Sequence, residues 1–145
     1  MGNRAVITTR ENFDNNGVGV YVHWNGGRDS VEAFLKYCEL KGYRTPETSN
    51  YGWARLCQVI GNFFGGDCSV GIDICSNLDC DNFDNGVYII KDWKIVGREY
   101  TVDDSDFVNP NLCDRVLEIN HCMPEHDQLN DVFIAVHFIK NKEDE

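Results

Sequence analysis

The hydrophobic pattern begins with a period of two. Arg4 to Thr8 has the β-branched character of a strand, and Val18 to Trp24 alternates after an Asn15-Asn16-Gly17 turn. The two are expected to form a hairpin. Alternation puts Val18, Val20, Val22 and Trp24 on one face, and Tyr21 and His23 on the other. The period then becomes helical. Val31, Phe34, Leu35 and Cys38 make one stripe, with Asp29 or Ser30 as its cap and Gly42 as its stop. Trp53, Leu56, Cys57, Ile60 and Phe64 make a second, after a Ser49 or Asn50 cap and before Gly65-Gly66. The helices are placed at about Asp29–Lys41 and Asn50–Phe64.

Ser69 to Ile74, Val87 to Lys91 and Trp93 to Tyr100 read as further strands, and Asn85-Gly86 is a tight-turn signal of the hairpin type. Asn109-Pro110-Asn111 introduces a short helix that Pro124 ends. Leu129 to Ile139 is apolar without a deciding period, and fits a helix or a buried strand from Val132 to Ile139 equally well. This order predicts an α+β fold: an antiparallel sheet of about five strands packed with two main helices, plus a short acidic C-terminal segment. A single domain is expected over residues 1–145, with a core at 1–100 and an acidic extension at 101–145. A chain of this length buries roughly 70% of its unfolded surface and needs no covalent staple.

Charge sharpens this picture. Residues 1–100 carry 10 basic and 13 acidic groups, whereas residues 101–145 carry 3 and 11, within a total of −11. That sign opposes direct nucleic-acid binding. It suits a host protein with a basic surface, self-association, or solubility alone. The seven cysteines are odd in number and lack C-x-x-C spacing, so reduced thiols are expected. His121, Cys122 and His126 lack the paired cysteines of a zinc site. No apolar run approaches the roughly 18 residues of a membrane span. The N-terminus lacks a signal-peptide core, and Val6 stands where a myristoylation motif needs Ser or Thr. The expectation is a cytoplasmic protein with no membrane partner and no cofactor.

Three constellations carry candidate chemistry. His23-Trp24-Asn25-Gly26-Gly27-Arg28-Asp29 joins a strand end, a glycine bend and a helix N-terminus, which can hold an anion or serve only as a turn. Tyr51 and Arg55 lie four apart on one helix face, as in sites that stack a base or a partner side chain. The Asp79-to-Gly86 run is rich in Asp and Asn, but neither register fits a calcium loop. It reads as a turn, or as an irregular metal site at Asp79, Asp81 and Asp84.

Gly2-Asn3-Arg4-Ala5-Val6-Ile7, Val20 to Gly27, Tyr51 to Leu56, Gly61 to Gly66 and Leu78-Asp79-Cys80-Asp81-Asn82 resemble a family of small bacterial proteins found also in phages and mobile elements. The resemblance covers residues 1–100. It implies no activity and no catalytic residue; the mobile-element setting implies inhibition of host defence by binding. The expected function is therefore a non-enzymatic binding protein of phage-inhibitor type. It would sequester a small nucleotide-like ligand near His23, Asn25, Gly26, Gly27, Arg28, Asp29, Tyr51 and Arg55, or cover a basic partner surface. The alternative is a metal-assisted hydrolase built on Asp79, Asp81 and Asp84.

Overall fold

The computed structural model describes residues 2–66 and 69–143, with side chains through Lys140. Five strands form its sheet: β1 (Ala5–Thr8), β2 (Val18–Val22), β3 (Val70–Ile74), β4 (Val87–Lys91) and β5 (Lys94–Glu99). Their spatial order is β3-β2-β1-β4-β5. Five α-helices accompany them: α1 (Arg10–Asp14), α2 (Arg28–Leu40), α3 (Asn50–Phe63), α4 (Leu112–Cys122) and α5 (Asp131–Glu143). The fold is α+β, as expected.

The sheet is mixed rather than wholly antiparallel. β1 and β4 run parallel, pairing Val6 with Val87, Ile7 with Tyr88 and Thr8 with Ile89. A parallel neighbour needs a long crossover, and here the chain from β1 to β4 runs through α1, β2, α2, α3 and β3. β1 and β2 do pair antiparallel. The link between them is longer than a hairpin turn, because Thr9 caps the short α1 by accepting from the Asn12 amide. Asn85-Gly86 turns the chain without joining paired strands, since β3 pairs with β2. Gly86 has φ +62°, and a Cβ there would collide with the Glu99 carbonyl oxygen. The β4–β5 hairpin is closed instead by Asp92 and Trp93, both in the left-handed region at φ +54° and +62°. Positive φ at both central residues is what a type I′ turn requires, usually from Asn and Gly. Tertiary contacts hold it here. Trp93 is 5% exposed and donates Nε1–H to the Tyr43 carbonyl, while the Asp92 amide donates to Glu47 Oε2.

Strand alternation divides the core. Ala5, Ile7, Val20, Val22, Tyr88 and Ile90 face the helices, under the predicted stripes of α2 and α3. Val6, Val87 and Ile89 face the other way, against Phe13, Tyr21, Leu78 and Cys80. Trp24 lies beyond the end of β2 and is 44% exposed. The α2 cap is Gly27 rather than Asp29 or Ser30, whereas Ser49 caps α3 as expected. Leu129 to Ile139 resolves as the start of α5 and the turn before it. Val116, Ile119, Met123 and Ile134 join the helix-side core, so residues from α4 and α5 are packed on the rest of the chain. The buried Asn120 pins that junction: its Oδ1 accepts from the Tyr37 hydroxyl and the Leu129 amide, and its Nδ2 donates to the Leu129 carbonyl.

Cys38, Cys57, Cys75, Cys80, Cys113 and Cys122 are free thiols; Cys68 lies outside the described residues. Burial pushes the Cys38 thiol strongly upward, which makes it a small apolar filler. Among the described residues no helix is long and apolar enough to cross a membrane.

Candidate functional site

The glycine bend is built as a joint. Asn25 has φ +58° and turns the chain out of β2. Gly26 then passes directly over β1: its amide donates to the Asn3 carbonyl, and its carbonyl accepts from the Tyr88 hydroxyl at 2.7 Å. A Cβ on Gly26 would lie 2.5 Å from the Asn3 carbonyl oxygen. Gly27 accepts at its carbonyl from Ser30 and Val31. His23 is bonded through Nδ1 to the Tyr21 hydroxyl at 2.9 Å, and its ring packs edge-on against Trp24. Asp29 contacts the Ser30 amide through Oδ1 and Arg115 through Oδ2.

Arg28 is engaged on both sides. It reaches Glu32 at 2.7 Å and Asp104 at 2.6 Å, with its side chain 13% exposed. Asp104 also takes Arg98, whose guanidinium is 6% exposed and lies 3.8 Å over the Tyr88 ring. Burial works to raise the Asp104 pKa, but the hydrogen bonds from Arg98 and Arg28 outweigh it, so the carboxyl sits below its ordinary range. The sequence marked Asp104 only as part of the acidic 101–145 segment and gave no sign of its bond to Arg28, 76 positions away, or to Arg98 across the end of β5.

Tyr51 and Arg55 lie elsewhere. The bend stands at the N-terminus of α2, and their groove stands beyond its C-terminus. A 13-residue helix separates the two, a span of about 20 Å. The eight residues predicted as one site therefore occupy two places.

The groove at the α2–α3 connection has about 430 Å³ of open volume and is lined by Gly42, Tyr43, Arg44, Tyr51 and Arg55. It is built where the α2–α3 loop packs on the start of α3. Gly42, at φ +75°, ends α2. The Tyr43 carbonyl is held by Trp93. Thr45 and Thr48 close a short turn through the Thr45 carbonyl. Gly52 lets α3 pack against this loop, since a Cβ there would stand 2.5 Å from Pro46 N and 2.6 Å from the Arg44 carbonyl oxygen. That close approach brings the loop's Arg44 over the ring of Tyr51, at 5.7 Å. One helical turn on, Arg55 lies over Tyr43 at 5.2 Å. Lys41 borders the same ring at 5.9 Å and ties it to the turn before α5 through Asp127.

The electrostatics of the groove are unusual for so acidic a chain. Among the described residues neither Arg44 nor Arg55 forms an ion pair with a carboxylate; Arg55 bonds only the neutral Gln58 amide. Burial raises the Tyr43 pKa, with Asp127 adding to the shift and Arg55 opposing it, so the ring stays neutral. Two uncompensated guanidinium groups thus alternate with two tyrosine rings. Tyr43 and Arg44 were missed in the sequence because they follow the helix stop; Gly52, one place after Tyr51, was the available hint.

In two other polar clusters most charges are paired within the chain. A 270 Å³ groove beside α2 and β5 has an apolar floor of Leu35, Trp93, Ile95 and Leu112, but its rim pairs Glu39 with both Lys36 and Lys94. In the Asp/Asn run, Arg4 takes Asp84 at 2.8 Å and Asp79 at 3.2 Å, and its hydrogen bonds hold the Asp84 carboxyl below the ordinary range. Among the described residues no group of three or more His, Cys, Asp or Glu is arranged to hold a metal ion. Millimolar Mg²⁺ or Ca²⁺ is accordingly expected to leave the melting temperature unchanged; a saturable rise that Asp81→Asn abolishes would restore the metal reading.

Comparison with family models, with curated proteins and with solved structures returns no match.

Proposed function

We propose that the protein is a non-enzymatic binding protein that sequesters a small planar anion of nucleotide type in the groove of Tyr43, Arg44, Tyr51 and Arg55. One observation carries this reading: two guanidinium groups without carboxylate partners among the described residues stand over two tyrosine rings in one groove. Tyrosine and guanidinium faces stack an aromatic base, and guanidinium N–H groups take a phosphate or carboxylate in a two-pronged bond. The volume lies within the roughly 300–1,000 Å³ of small-ligand sites. In a phage or mobile-element setting, capture of such a molecule would deprive a host defence system of its signal.

Calorimetric titration with AMP at low salt is expected to give saturable binding. Arg44→Ala and Arg55→Ala should each weaken it about tenfold, the loss of a charge-assisted hydrogen bond worth roughly 1.4 kcal/mol. Both side chains are exposed, so the fold should be retained. The bend variant Arg28→Lys serves as the contrast, with affinity unchanged. Equal affinity in wild type and both groove variants would exclude the groove.

A further inference from the structure

The groove repeats one unit twice. Tyr43 and Arg44 are neighbours in the loop, and each meets the opposite kind of side chain from α3: Arg55 lies over the Tyr43 ring and Arg44 over the Tyr51 ring. Tyr51 and Arg55 are four residues apart on α3, which anchors the two pairs roughly 6 Å from each other. Successive nucleotides of a stacked strand are only about 3.4 Å apart. The two platforms are therefore too far apart for one continuous stack. They suit two bases splayed from each other, each on its own ring or guanidinium plane. The Tyr51 ring is open to receive one, at 66% exposure. Arg55 is also exposed, with the half-buried Tyr43 ring beneath it.

A mononucleotide would cover one platform and leave the other in water. We propose that the groove takes a dinucleotide, two bases joined through a single phosphodiester, with one base on each tyrosine–arginine pair and the bridging phosphate bonded by Arg44 and Arg55. This rests on the groove being the anion site proposed above, and names the ligand class of that site. Proteins that bind single strands use the same combination of aromatic platforms and basic groups. A longer strand does not suit the charge. Two such pairs line the groove, the adjoining Lys41 is neutralised by Asp127, and the chain carries −11 overall, which opposes further phosphates.

Calorimetric titration of the full chain with adenylyl-(3′→5′)-adenosine and with AMP, at one salt concentration, separates the second base from charge. A phosphate monoester such as AMP carries roughly −1.5 to −2 charges at neutral pH, and the dinucleotide carries a single one. Electrostatics alone thus favours AMP. The second base reverses that order: the dinucleotide should bind at least about tenfold more tightly, the scale of one base stacked on an aromatic ring. Tyr51→Ser should abolish this advantage and Tyr51→Phe should keep it. Both should leave the circular dichroism spectrum unchanged, because the side chain is exposed. AMP binding as tightly as the dinucleotide overturns the proposal and leaves the mononucleotide reading standing. An advantage that survives in Tyr51→Ser overturns it as well. An adenylate decamer that binds beyond the statistical gain of its overlapping sites overturns it in favour of a single strand. Binding of neither AMP nor the dinucleotide removes the anion site itself, and this proposal with it.

Discussion

Asp104→Ala is expected to lower the free energy of unfolding by about 3 kcal/mol, the scale of breaking a buried ion pair from one side. Asp104 is the shared carboxylate of Arg28 and Arg98, and both guanidinium groups are largely buried. Arg28 keeps Glu32, but Arg98 keeps only the neutral carbonyls of Val87 and Asn85 and the Tyr88 ring. The residue also fastens the long link between β5 and α4, so its loss frees the segment that delivers α4 to α2. Urea denaturation should show a lower midpoint. Arg98→Met in the Asp104→Ala background should restore part of the stability, because it removes the stranded charge. The pH dependence has a definite sign. A carboxyl held below its unfolded value contributes stability above that value and loses it as pH falls through the lowered one. The gap between wild type and Asp104→Ala should therefore be full near neutrality and shrink below about pH 4. A constant gap down to acid unfolding would contradict the ion-pair account.

Asn82→Ala is expected to cost a similar amount, about 3 kcal/mol, by leaving buried polar groups without partners at roughly 1–3 kcal/mol each. Asn82 is fully buried. Its Oδ1 accepts from the amides of Asp84, Asn85 and Gly86, and its Nδ2 donates to the carbonyls of Asp79 and Gly86. One side chain thus takes backbone groups of Asp79, Asp84, Asn85 and Gly86 in the loop that the sequence offered as a metal site. Asp79→Asn should change stability by less than about 1 kcal/mol, as an exposed ion pair does. The reverse ranking, with Asp79 critical and Asn82 dispensable, would point to a ligand held by the acids.

These two residues mark where sequence reasoning stopped. Helices α2 and α3 were legible because their stripes, caps and glycine stops are local signals. The strands were legible because alternation is local too. The β1–β4 pairing was not, since nothing local records which strand lies beside another after a long crossover. Asp92-Trp93 was unreadable as a type I′ turn, because two unsuitable residues are held there by Tyr43 and Glu47. α5 was ambiguous for a physical reason: apolar positions all round its axis leave no period to detect. The candidate site was half legible. Tyr51 and Arg55 were found from their four-residue spacing, but their companions Tyr43 and Arg44 reach them through the loop packed on Gly52. Arg28 looked available from sequence, and is bound by a carboxylate 76 positions away.

The most direct measurement is a ¹⁵N–¹H spectrum of the arginine Nε–H groups, recorded while AMP, adenosine and inorganic phosphate are added in turn. The account predicts saturable shifts at Arg44 and Arg55 with AMP, weaker ones with adenosine or phosphate alone, and a silent Arg28. AMP shifts confined to Arg28 and the glycine bend, or no saturable shift at Arg44 and Arg55, would contradict it.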